Sequence, residues 1–362
     1  MNFETWERFK RVALSARRGS EGEGGAALSK AQELSGGPIP VALIVDSPWL
    51  PGFAGISHFD YFTLPEVWLD VNLHLGRFFP EVIFLPGFWV EYGMATEPSA
   101  FGCRITWWEN SPPSVNPMMY DISEVSRLRV PNPREDGLMP FVLNLYRHVE
   151  KELRKSGSGA CIKMVAARGP LAIAAHLRGT TELMIDLKLF PEEVKKLLEI
   201  TTETVIRWLQ AQIDNLFGVE GIMVLDDIIG FLSPSDYMEF AHPYLKQIFS
   251  SFGDMVKVYH NDANIAGILE HLAETGLDVL NFSHLLDIGE VHQRVGGKVV
   301  LMGNVPPLEV MAQGTPEEVK AWAVRCLEKT EGGRGLILSA GGGVSPGTPA
   351  ENIKALLEAV EA

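Results

Sequence analysis

His260 and Asp262 stand two residues apart in VYHNDAN, directly after an apolar run that reads as a strand. Alternate residues on an extended chain point the same way. The spacing therefore aims an imidazole and a carboxylate at one place, with Asn261 turned aside and Tyr259 beside them. Such a pair suits proton transfer, with Asp262 fixing the ring. It equally suits a divalent metal held by nitrogen and oxygen, with water in the open position. Other strand ends carry polar groups too: Asp46 in ALIVDSPW, Arg168 in KMVAARGP, Asp226 and Asp227 in IMVLDDIIGF, Asn281 and His284 in NFSH, and Asn304 in VLMGNVPP. Polar groups on apolar strands are costly to bury alone, and their recurrence at strand ends marks an active-site mouth. Structural roles compete for several. One of Asp226 and Asp227 could cap the helix opening near Ser233-Pro234. Arg168 could be an ion-pair partner, and Asn304 could hold a turn. The last such position is unlike the rest, because LILSAGGGVSPG places Gly341, Gly342 and Gly343 where a reactive side chain is expected.

The elements that must position these residues alternate. Eight short apolar strands are centred near Leu43, Ile83, Met164, Met223, Val258, Leu280, Leu301 and Ile337, and most precede a helical pattern. The clearest helical stretch runs from about Glu182 to Asn215 and restarts near Pro191, where two glutamates suit the positive end of the helix dipole. Thr315-Pro316-Glu317-Glu318 and Thr348-Pro349-Ala350-Glu351 repeat the start signal. Eight strand–helix units predict an α/β fold, a single (β/α)8 TIM barrel over residues 38–362, with its chemistry at the C-terminal ends of the strands. Residues 1–37 read as an added, mobile N-terminal helical arm. Residues 88–135 read as an elaborated loop or lid over the mouth, in which Trp89 and Tyr92 are candidates to line an apolar substrate pocket; packing the lid onto the barrel is their other reading.

A charge of −15 argues against nucleic acid and anionic membrane surfaces. Three separated cysteines without a C-x-x-C pair fit a reduced, cytoplasmic protein. The charged, amphipathic N-terminus has no apolar signal core, and no apolar run is long enough to span a bilayer.

The segments DDIIGFLSPSDYMEFAHPYLKQIF, VYHNDAN, LMGNVPPLEVMAQGTPEEV and SAGGGVSPGTPAENIKALLEAV resemble the uroporphyrinogen decarboxylase superfamily, and within it the corrinoid-linked methyltransferases more than the true decarboxylases. The resemblance runs from about residue 160 to the end and is weaker before. It implies a single (β/α)8 barrel but not one reaction. The decarboxylases carry an N-terminal M-R-Q-A-G-R segment and a His in the last glycine turn. Here RFKRVALSARRGS does not match, and Gly342 stands at the His position. The thiol-alkylating methyltransferases hold zinc by H-x-C and G-C-G. Those positions read His260-Asn261-Asp262 and Gly341-Gly342-Gly343, so both cysteines are gone.

The resemblance then implies a methyltransferase that moves a methyl group between a small methylated donor, such as an aryl methyl ether, and a corrinoid (cobalamin) on a partner protein. Cobalt would be the nucleophile, and the glycine turn would let the corrinoid face approach. His260, Asp262 and Asp227 are the expected catalytic groups. Asp46, Arg168, Tyr259, Asn304, Trp89 and Tyr92 are expected to bind substrate. If zinc is present, His260, Asp262 and Asp226 would hold it. The rivals are a decarboxylase or lyase acting on a small carboxylic acid through Arg168 and His260, and a non-catalytic barrel that binds a corrinoid or tetrapyrrole. A homodimer is left open.

Overall fold

The computed structural model describes residues 1–20 and 39–361. Eight strands carry the fold: β1 Ala42–Ile44, β2 Ile83–Leu85, β3 Met164–Arg168, β4 Gly221–Leu225, β5 Val256–Asn261, β6 Val279–Phe282, β7 Val300–Val305 and β8 Leu336–Ala340. Each contains the residue on which its apolar run is centred. A parallel ladder joins β3 through β8 in chain order, and a second joins β1 to β2. β1 meets β8 through the parallel bridges Val41 to Leu338 and Ile44 to Gly343. The strand order is therefore that of the (β/α)8 barrel, with helices outside.

Period-two alternation splits every strand between two cores. Ile44, Met164, Met223, Val258, Val279 and Ile337 face the lumen. Leu43, Val165, Val224, Tyr259, Leu280 and Leu338 face the surrounding helices. The long stretch after β3 divides where Pro191 divides it, into helices Thr180–Leu189 and Pro191–Asn215, with Val194, Leu197, Leu198, Val205 and Leu209 buried. Thr315 closes a capping box with Glu318 at the start of helix Pro316–Lys329. Among the described residues, no helix is long and apolar enough to cross a membrane.

The N-terminal segment differs from the expected arm. Helix α1, Phe3–Ala13, starts at Asn2, whose side chain accepts from the Thr5 amide. Its Trp6, Phe9 and Ala13 are fully buried and belong to the lumen core, not to the outer layer. The helix therefore closes the N-terminal end of the barrel. Polar ties fix it there: Trp6 Nε1 donates to Glu220 at 3.2 Å, Lys10 pairs with the same carboxylate, and Arg17 Nη2 reaches Asp278 at 2.7 Å. The sequence shows only amphipathicity, because the surface that buries the apolar stripe is assembled from eight distant strands. Residues 21–38, which include the rest of the expected arm, lie outside the described residues.

Candidate active site

The C-terminal ends of the strands bring most of the expected residues together. On β5, His260 continues the lumen-facing row of Val256 and Val258. Its side chain is 7% exposed, and its Nε2 lies 3.6 Å from Asp262 Oδ1, whose own side chain is 51% exposed. His260 thus sits at the floor of the mouth and Asp262 at its wall. Asp227 opens a 3-10 turn after β4 and accepts the Asp262 amide at 2.6 Å, which places the two carboxylates side by side. Asn281, fully buried opposite His260 on β6, meets His260 Nδ1 at 2.7 Å.

The electrostatics follow from this crowding. Burial pushes the His260 pKa down, but Asp262, Asp227, Asn281 and Asp46 together outweigh it and hold the imidazole above its ordinary value. Burial raises Asp262, reinforced by Asp227 and opposed by His260. Asp46 follows β1 and is half-buried. Burial first, then Glu91 and Asp262, pushes it up to about 7 against the pull of Arg168 and His260.

Arg168 ends β3 and is buried in the mouth. Its guanidinium lies 3.5 Å from Glu91, donates to the Gly93 carbonyl at 3.1 Å and stands 5.0 Å over the Trp89 ring. Glu97 accepts the Arg168 amide at 2.9 Å, and Glu91 accepts the Ser47 amide at 2.7 Å. Residues 88–97 therefore lie across the C-terminal ends of β1 and β3. Glu91 and Glu97 do not stand out in the sequence. Their signal is two glutamates within the aromatic, apolar FWVEYGMATEP, which contains no Lys or Arg. A partner buried from elsewhere was therefore required.

Four expectations are corrected. Asp226 turns away from the mouth: its Oδ2 accepts the Leu171 amide at 3.0 Å, at the start of helix Pro170–Arg178. It caps that helix, not the one at Ser233. Tyr259 faces outward and donates its hydroxyl to the Asp226 carbonyl at 3.0 Å. Asn304 also leaves the mouth, donating to the Leu286 carbonyl at 2.8 Å, so it holds the turn after β6. Tyr92 is buried in an aromatic cluster with Phe62 and Trp107.

The glycine turn has a local explanation. A Cβ on Gly342 would stand 2.4 Å from Asp262 Oδ1, at φ +145°. One on Gly341 would come within 2.7 Å of the His284 backbone nitrogen, and one on Gly343 would lie 3.8 Å from Asp46. The protein's own Asp262, His284 and Asp46 already line the space beside this turn, so the glycines do not simply clear a path for an approaching cofactor.

The zinc set implied by the resemblance does not fit. Asp226 points elsewhere, Gly342 offers no donor, and among the described residues no three His, Cys, Asp or Glu side chains are gathered as a metal's ligands. The three cysteines lie apart from the mouth: Cys103 near the His176 carbonyl, Cys161 near that of Met1, and Cys326 behind Asn304.

The raised Asp46 gives a pH prediction. The unfolded chain releases this proton near its ordinary 3.8, whereas the folded chain keeps it to about 7. Asp46 therefore favours folding at low pH and loses that contribution as pH rises through this window. Asp46→Asn cannot titrate. Urea midpoints at pH 4, 6 and 8 are expected to fall less steeply with pH in Asp46→Asn than in the parent. Parallel curves would show that Asp46 ionises normally.

The family model described as uroporphyrinogen decarboxylase (URO-D) matches residues 53–362. The uroporphyrinogen decarboxylase of Synechococcus sp. (strain CC9605) is 32% identical over 264 residues, covering 69% of this chain and 71% of that protein. That of Psychromonas ingrahamii is 29% identical over 274 residues, covering 73% and 75%. Among solved structures, a methyltransferase from Methanosarcina mazei superposes with a TM-score of 0.76 over 90% of this chain and 94% of that one, at 24% sequence identity. At that identity the likeness speaks for the fold.

Proposed function

The chain belongs to the uroporphyrinogen decarboxylase family, matched over residues 53–362, and from that premise we propose that it is a methyltransferase. In this reading it takes a methyl group from a small, uncharged methylated donor, such as an aryl methyl ether, to a corrinoid carried by a partner protein. The observation that supports it most is the state of Arg168. This guanidinium is already occupied by Glu91, the Gly93 carbonyl and the Trp89 face. Asp46 and Glu97 also act on it, while Asp227 and Asp262 stand beside His260. A porphyrinogen, or any small carboxylic acid, needs cationic partners for its carboxylates, and this mouth presents a surplus of carboxylates instead. An uncharged donor has no such requirement.

The corrinoid, when bound, supplies the nucleophile that receives the methyl group. The chain's own part is at the oxygen that is left behind. As the methyl–oxygen bond breaks, that oxygen gains negative charge and needs a proton. His260, held above its ordinary pKa in the floor of the mouth, carries one on Nε2 and donates it there. Asp262 stabilises the imidazolium before transfer. Trp89 and the adjoining lid residues exclude water from the inner wall.

The second reading, decarboxylation, is favoured by the curated relatives of about 30% identity that carry that name. One pair of assays separates the two. With cob(I)alamin as acceptor, aryl methyl ethers are expected to methylate it, followed through the visible spectrum. Uroporphyrinogen and small carboxylic acids are expected to release no carbon dioxide. Decarboxylation with no methyl transfer from any ether would reverse the choice.

A further inference from the structure

We infer that Asn281 is a positioning residue that fixes the tautomer of His260, holding a proton on Nδ1 and committing Nε2 to the barrel mouth. Asn281 has no exposure to solvent and sits opposite His260 in the β5–β6 ladder. Its amide nitrogen has two hydrogens, and both are engaged: it donates to the carbonyls of Met302 at 2.9 Å and Ala340 at 3.1 Å. Those two bonds settle which way the amide points. Only Oδ1 is left to face His260 Nδ1, at 2.7 Å.

An amide oxygen accepts and cannot donate. His260 Nδ1 must therefore be the donor whether the ring is neutral or cationic. In the neutral ring Nε2 then keeps a lone pair towards the mouth, and in the cation it carries the second proton. Without Asn281 the neutral ring could protonate at Nε2, spend that proton on Asp262 3.6 Å away, and leave Nδ1 buried without a partner. The anchor is broad, since Met302 lies on β7 and Ala340 ends β8 immediately before the glycine turn. One side chain thus ties β6, β7 and β8 to the ring on β5. Asp262, Asp227 and Asp46 are the charged groups that act on the ring from the neighbouring elements.

The kinetic consequence rests on the methyltransferase reading, but the tautomer does not, and the experiment keeps them apart. Protein carrying 15N-labelled histidine would be compared by NMR as parent, Asn281→Leu and Asn281→Asp, with His260→Gln identifying the His260 signals. The parent is expected to show a protonated Nδ1 on both sides of the ring's titration. Asn281→Leu is expected to lose that fixed proton and to lower kcat for methyl transfer by about 10- to 100-fold with KM for the donor little changed, as misplacement of a reacting group does. Asn281→Asp keeps an acceptor, so it should retain the Nδ1 proton, raise the ring's titration and recover part of kcat. If Asn281→Leu does not fold, Asn281→Asp decides by the direction of its titration shift. A parent ring protonated on Nε2 alone, or variants with unchanged tautomer and titration, would overturn the assignment. Absence of methyl transfer in the parent would instead count against the proposed function and leave the tautomer result standing.

Discussion

Replacing His260 by alanine should abolish most of the methyl transfer to cob(I)alamin, a loss of about 10²- to 10⁴-fold, the usual contribution of a positioned proton donor. The expectation rests on three placements. The ring is nearly closed off from solvent, so its proton is not readily replaced by water acting in its stead. Its Nδ1 side is taken by Asn281, which leaves Nε2 as the reactive edge. Its pKa is raised by the carboxylates around it, despite burial, so the acid form persists towards neutral pH. The pH profile follows with a definite sign. A proton donor is active below its pKa, so the rate should fall as pH rises through the raised value. Asp262→Asn removes the largest of the raising influences, so the alkaline limb should move to lower pH and activity at neutral pH should drop. Assays of both variants across pH 5 to 9 check this. Full activity in His260→Ala would remove the imidazole from the chemistry, and an unmoved limb in Asp262→Asn would remove Asp262 as its partner.

The fold was more legible than the site, for a physical reason. Each strand is a local apolar run bounded by turn residues, so eight of them can be counted without knowing their neighbours. The pairing of His260 with Asp262 is local too, fixed by alternation along one strand. Alternation also carried information that residue type concealed: Tyr259 and Asp226 each stand one position from a mouth-facing residue and so face outward, where they bond to one another's surroundings. Other parts of the site are tertiary. Arg168 and Glu91 are brought within 3.5 Å by the closure of the barrel, and no spacing in the chain records it. Asn304 follows Met302 at the inward parity of β7 yet turns out to hold the Leu286 carbonyl. Gly342 reads as a lost ligand in sequence and as room for Asp262 in space.

The same distinction governs α1, and Trp6→Ala tests it with the largest expected effect on stability. An amphipathic helix in a mobile arm would tolerate the change, since substitutions on an exposed segment typically stay within about 0.5 kcal/mol. Trp6 is instead fully buried in the lumen core beside Phe9. The barrel is shaped around it: a Cβ on Gly221 would lie 2.9 Å from the Trp6 ring, so β4 begins with the residue that leaves room. Truncation would leave a large cavity in a closed layer and strand one hydrogen bond to Glu220. Substitutions of this kind cost about 3–5 kcal/mol. The anchoring carboxylate gives a second reading of the same contact. Although burial alone would raise Glu220, its bonds from Lys10, Lys163 and Trp6 lower it to about 2. Its contribution is therefore present above its ordinary 4.5 and lost as pH falls towards 2. Urea unfolding at neutral pH should show Trp6→Ala destabilised by several kcal/mol. The parent should lose part of its stability between about pH 4.5 and 2, and Glu220→Gln should lose less over the same interval. A Trp6→Ala midpoint equal to that of the parent would return α1 to the role of an appended arm and leave the N-terminal end of the barrel to be closed by something else.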